Sequence, residues 1–208
     1  MGITERKEKQ KLEIRKMILD ASMKLFIEHG YDNVTIRKIA DIIEYSPTTV
    51  YLYFKDKDEV FYHLHEQGFA RLAELNQNLA GIDNPLIRLC KMGENYLQFG
   101  MQNPEYYDIM FIQHGPMKAL MEREDCEWKY GDLALETLKQ TVAEAMEKGY
   151  IYKGNVEAAA MTVWGMVHGL VSLAIRERFD KLIPEEEIPA MMNKSLNWFL
   201  SAVDRKAG

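Results

Sequence analysis

Thr48, Thr49, Tyr51 and Tyr53 lie within one short stretch, SPTTVYLYF, and none of them is a charged or metal-binding type. Their hydroxyls can each donate and accept a hydrogen bond, and the threonine methyls can meet the methyl group of thymine. Such a set suits the reading of base edges and the gripping of phosphate oxygens on a duplex. It does not suit bond-breaking chemistry, because no nucleophile, base and orienting group recur with it at helical spacing. Val50 and Phe54, four residues apart, anchor the stretch from behind.

Something rigid must hold these side chains outward. From Leu12 to His29 the apolar positions Ile14, Met17, Ile18, Ala21, Leu25 and Phe26 follow the spacing of an amphipathic helix, which Gly30 stops. After Tyr31 to Val34, Thr35 is placed to cap a short helix, Ile36 to Ile43, with Ile36, Ile39, Ala40 and Ile43 on one face. Glu44 and Tyr45 break the pattern, and Ser46-Pro47 reads as an N-cap followed by proline in the first turn. The third helix runs from Pro47 to Phe54. Asp56, with Glu59 three residues later, then opens a longer helix reaching about Leu79. The two short helices need the first and fourth as support.

Helical periodicity continues over about Leu86 to Met101, Glu105 to Gln113, Met117 to Lys148 with room for an interruption, Val156 to Phe179, and Glu185 to Val203. Gly and Pro punctuate the gaps, and no strand pattern emerges. The expected fold is all-α. A three-helix DNA-binding domain over residues 1–55 is followed by a larger helical ligand-binding and dimerisation domain over residues 56–208.

The run TIRKIADIIEYSPTTVYLYFKDKDEV, with ILDASMKLFIEHGYDNVT before it, resembles the DNA-binding signature of TetR-family transcriptional regulators over about residues 12 to 64. The resemblance implies that Thr35 and Arg37 touch phosphate or a base, that Thr48 and Thr49 read bases, and that Tyr51 and Tyr53 hold phosphates. It places Lys57 in the first turn of the fourth helix, where ammonium and helix dipole both favour a phosphate. Glu44 departs from the pattern, because the family usually has glycine in this turn. A slightly altered turn or a strained residue at positive φ is therefore expected.

Further along, Trp164-Gly-Met-Val-His168-Gly-Leu resembles a Trp, His and Gly pattern of one subgroup of such C-terminal domains. Gly165 and Gly169 form a stripe four apart that lets another helix approach, which places this segment at or near a dimer interface. The resemblance implies a homodimer joined through Val156 to Phe179 and Glu185 to Val203 as a four-helix bundle. Two recognition helices would then enter successive major grooves roughly 34–36 Å apart on a pseudo-palindromic site of double-stranded DNA. A ligand-responsive repressor that works by population shift is implied.

Composition sets the remaining bounds. The 208 residues carry a net charge of −6, all of it beyond residue 60, while residues 1–16 hold six basic and three acidic groups. The reading head is thus neutral overall with a positive arm, and total charge decides nothing. No apolar run approaches the roughly 18 uninterrupted residues of a membrane span, and the charged N-terminus is unlike a signal peptide, so a cytoplasmic location is expected. Cys90 and Cys126 read as reduced thiols. His63 and His65, two apart, point in different directions and read as surface histidines, so neither a metal nor any other cofactor is expected.

Methionine and aromatic residues crowd the stretch from Tyr96 to Met121. An adaptable apolar pocket for an aromatic or lipophilic effector is one reading and plain core is the other. The candidate lining is Tyr96, Phe99, Met110, Phe111, Trp164 and His168, although His168 reads better as a satisfied core or interface residue than as a ligand donor. A helical enzyme and a ligand-insensitive DNA-binding dimer are the competing functions, and no enzymatic activity is expected.

Overall fold

The computed structural model describes residues 2–113 and 128–206. Within them are nine α-helices and three short 3-10 turns, and no strand. The all-helical architecture expected from periodicity is the one observed. In chain order the helices are α1 (Ile3–His29), α2 (Ile36–Ile42), α3 (Pro47–Tyr51), α4 (Lys57–Asn76), α5 (Pro85–Gln102), α6 (Pro104–Phe111), α7 (Lys129–Glu147), α8 (Val156–Ile175) and α9 (Ile188–Val203). The described residues fall into two compact units, Met1–Gly68 with Glu105–Trp128, and Phe69–Pro104 with Lys129–Gly208.

Helix ends differ from expectation for identifiable reasons. α1 starts at Ile3 rather than Leu12 because its first turns are built from Glu, Arg, Lys and Gln, good helix formers that leave no apolar signal. Lys9 and Glu13 pair there at 3.8 Å. α3 ends at Tyr51 rather than Phe54, since the last turn tightens into bonds from Leu52 N–H to Thr49 and from Tyr53 N–H to Val50. α8 ends at Ile175 rather than Phe179, where Glu177 adopts φ 56° and Arg178 N–H turns back to the Leu173 carbonyl at 2.9 Å. Glu185–Glu187 forms a 3-10 turn ahead of α9. Of the helix expected from about Met117 to Lys148, residues 117–127 lie outside the described residues, as does Cys126.

The first unit closes around Ile18, Phe26, Ile39, Val50, Phe54, Phe61 and Leu64, with Ile109 of α6 completing the cluster. Each such side chain contributes roughly 1.5–3 kcal/mol by leaving water. The surface expectation for the histidines fails at His65, which is 1 % exposed, with its ring 6.0 Å from that of Trp128. His63 is half-buried against the Phe54 ring. Their helix, α4, presents two of its faces to the core here, which spacing by itself does not reveal.

In the second unit α5 is the central helix, packing on α7, α8 and α9. Its Gly93 lets Leu196 come so close that an added Cβ would lie 2.8 Å from the leucine methyls. Glu144 of α7 accepts from Arg88 and Lys148, both at 2.6 Å. The longest apolar helix, α8, is interrupted by Glu157 and His168. It is long and apolar enough to cross a membrane by length and composition alone, and 22 % of that window is buried. Ala160, Val167, Val171 and Ala174 form its inner side.

Candidate nucleic-acid interface

Two caps and one reversed residue set the angle between α2 and α3. Thr35 Oγ1 accepts from Lys38 N–H at 3.2 Å and opens α2. At the other end Tyr45 N–H bonds to the Ala40 carbonyl at 3.0 Å and Glu44 N–H to that of Asp41 at 3.4 Å, a Schellman closure. Its left-handed residue is Glu44, at φ 59°. The turn therefore keeps the glycine geometry without the glycine, and the strain is carried by a residue with a Cβ. Glu44→Gly is expected to raise unfolding stability by about 0.5–1 kcal/mol. A denaturant midpoint that does not rise would show the turn to be unstrained.

α3 follows with Ser46 as its N-cap, accepting from Thr49 N–H at 3.1 Å, and Pro47 in the first turn. Val50 and Phe54 are 0 % and 1 % exposed, so the anchors lie where their spacing put them. Thr48 is exposed and Tyr51 is 55 % exposed, whereas Thr49 is half-buried with its hydroxyl 3.0 Å from Ser46 Oγ. Tyr53 is half-buried against the core. Arg37 is exposed on the first turn of α2. The structure thus gathers Thr48, Thr49 and Tyr51 on α3, with Thr35 and Arg37 at the start of α2.

Lys57 is placed differently from a freely projecting phosphate ligand. Its Nζ donates to the carbonyls of Tyr31 at 2.9 Å and Val34 at 3.2 Å and lies 4.0 Å from the centre of the Tyr31 ring. Tyr31 in turn donates its hydroxyl to Asp58, and burial with that carboxylate beside it pushes the phenol pKa up. This lock joins the loop after α1 to the start of α4, where Asp56 caps Glu59 N–H at 2.8 Å. Two of the three ammonium protons of Lys57 are thus engaged by backbone carbonyls. Sequence reading missed Tyr31 and Asp58, whose partnership spans 27 positions and has no local signature.

The Trp-His-Gly segment divides between two sides of α8. Trp164 Nε1 donates to the Tyr96 hydroxyl at 3.2 Å, and that hydroxyl lies 3.2 Å from His168 Nδ1. The indole N–H donates to the phenol oxygen, and the Tyr96 hydroxyl and Nδ1 share one hydrogen bond. Burial lowers the His168 pKa. These two residues therefore face α5, while a Cβ at Gly165 or Gly169 would meet open space. Phe99 is buried on α5. Met110 and Phe111 belong to α6 in the first unit, where the Phe111 ring lies 5.0 Å from that of Tyr107. No group of three or more His, Cys, Asp or Glu able to hold a metal occurs among the described residues.

Known proteins share both parts of this arrangement. Residues 18–64 match the family described as bacterial regulatory proteins, tetR family, and residues 89–193 match the tetracyclin repressor-like C-terminal domain. The HTH-type transcriptional repressor AcnR of Corynebacterium efficiens is 27 % identical over 139 residues, 65 % of this chain and 67 % of that one. The chain spans from 37 % to 67 % of the length of the first curated relatives it matches. Among solved structures, the fatty acid degradation regulator FadR from Bacillus halodurans superposes with a TM-score of 0.72 at 18 % identity, covering 89 % of this chain and 94 % of that one. FadR from Bacillus subtilis, in complex with stearoyl-CoA, does so at 0.68 and 17 % identity, covering 90 % and 98 %. A head that presents threonine and tyrosine from a capped recognition helix, followed by a helical domain of the matching type, leads to one conclusion: the chain belongs to the TetR family of bacterial transcriptional regulators.

Proposed function

We propose that this regulator is a ligand-responsive repressor that binds a pseudo-palindromic operator as a homodimer in the cytoplasm. Residues 1–55 read DNA, and residues 56–208 bind the effector and dimerise. The observation that carries the reading is the outward Thr48 and Tyr51 face of α3, held over the buried Val50 and Phe54. Thr35, Arg37, Thr49, Tyr53 and Lys57 complete the contact set. The second copy seats on α8 and α9, whose outer faces leave Met161, Leu173, Met191 and Trp198 exposed. Covering that side with the same helices of a partner accounts for the low burial of so apolar a helix.

The effector fits the Tyr96, Trp164 and His168 cluster best as an apolar body with one polar group, such as an aromatic or acyl compound. The acyl thioester bound by the Bacillus subtilis regulator supports that chemistry. Binding would favour a dimer whose heads lie out of groove register, a shift that needs a differential affinity of a few kcal/mol.

Selection of bound duplexes from random DNA, repeated at two salt concentrations, tests the reading. Thr48→Ala is expected to relax preference at one position of each half-site. Lys57→Ala is expected to weaken binding to all duplexes and to flatten the salt dependence. It also removes two hydrogen bonds from a charged donor, so unfolding stability should fall by about 1–3 kcal/mol. Failure to enrich any palindrome would overturn the proposal.

A further inference from the structure

The stripe of α1 that packs into the head core does not end where the core ends. Ile14, Ile18, Ala21 and Leu25 are buried along it. One and two turns before Ile14 the same stripe carries Lys11 and Lys7. With Gln10 they line a groove of about 360 Å³ whose other wall is Leu52 and Tyr53, directly after α3. Lys7, Gln10 and Lys11 are exposed, and Leu52 is 77 % exposed, so the groove opens to solvent at the tail of the recognition helix. At roughly 100° per residue, Glu5 falls on the far side of α1, and Glu8 and Glu13 lie at the two edges of the stripe. Glu5 accepts from Gly2 N–H and Glu13 pairs with Lys9, so these acids are occupied away from the groove. Arg15 is drawn over the Phe54 ring at 4.8 Å and is not among the residues that line the groove.

We propose that this groove is a second DNA-backbone site, in which Lys7 and Lys11 hold the phosphates that follow those gripped by Tyr53, extending each half-site contact outward from the major groove. The inference rests on the DNA-binding reading above. Charge complementarity and continuity with the α3 face select the duplex backbone as occupant. The amide of Gln10 supplies a neutral donor between the two ammonium groups. A sequence-independent contact of this kind strengthens every duplex equally and makes binding more sensitive to salt.

The test compares two double variants of equal charge, Lys7→Gln with Lys11→Gln in the groove, and Lys9→Gln with Lys16→Gln on the opposite face. The probe is the duplex enriched by selection, titrated with the full-length protein over a series of salt concentrations. Four groove lysines per dimer, at about 0.9 counterion each, predict a log–log slope shallower by roughly 3 to 4 for the groove pair. The far-face pair should leave the slope within about 1 of the parent. Equal slopes for both pairs would reduce the arm to a diffuse field and overturn the site. A lower melting temperature with an unchanged slope for the groove pair would also overturn it, by making the lysine stems a cover for Ile14 and Leu52. A parent protein that enriches no duplex would remove the DNA-binding reading itself, an outcome distinct from these two.

Discussion

Trp198→Glu is expected to turn the proposed homodimer into monomers and to weaken operator binding at least about 100-fold, the largest effect of any single substitution on assembly. The indole is 74 % exposed on α9 and lines a groove of about 620 Å³ together with Met166, Gly169, Leu170, Leu173, Met191 and Phe199. A tryptophan left in water beside an apolar groove is the typical form of an interface anchor, and a two-fold axis counts it twice. At about 2–4 kcal/mol for each copy, its replacement by a carboxylate that would have to be desolvated removes most of the association energy. Loss of the dimer also uncouples the two heads, so each must find its half-site alone. Light scattering across a concentration series gives the oligomeric state, and far-ultraviolet circular dichroism shows that the helices persist. A Glu variant that stays dimeric would place the interface elsewhere.

Acid should loosen the first unit through His65. Burial of its ring holds the pKa down to about 4, against the raising influence of a hydrogen bond with the Met110 backbone. In the unfolded chain the group titrates near 6.5. Between these values the unfolded chain binds a proton that the folded one refuses, so stability rises with pH over this window. The contribution is fully present above pH 6.5 and is lost as pH falls toward 4, by up to about 3 kcal/mol. His63, also lowered by burial, acts in the same direction. Denaturant titrations at pH 7.5, 5.5 and 4.5 measure the slope, and His65→Gln should flatten it relative to the parent. An identical pH dependence in both proteins would mean that His65 is not the group responsible.

Both predictions concern residues whose role the sequence did not disclose, and the reason is the same in each. Trp198 and Leu196 are two apart on one helix, yet Leu196 is buried and Trp198 projects into water. His65 lies two positions from His63 and one from the buried Leu64, and the three report different surroundings. Helical periodicity identifies a face, but which neighbour covers that face depends on elements far away in the chain. Cavities and lone charges obey the same limit. The lock of Lys57, Tyr31 and Asp58 arises only because the loop after α1 folds against the start of α4.

Several features were determined by the sequence itself. Thr35, Ser46 and Asp56 each accept a backbone N–H at a helix start, because a short polar side chain reaches only its own next turn. Val50 and Phe54 turn inward because four residues return a helix to the same face. Glu44 takes the left-handed conformation because a Schellman closure between two short helices requires it of whichever residue stands there. The helix-turn-helix was therefore legible from local rules, and the outward threonine and tyrosine of α3 followed from it. Tertiary structure decided the rest: that Lys57 is engaged by carbonyls, that Trp164 and His168 turn toward Tyr96 while Gly165 and Gly169 face out, and that the charged start of α1 lines a groove with Tyr53. Those outcomes depend on long-range packing, where side chains separated by tens of residues compete for the same space and the same hydrogen-bond partners.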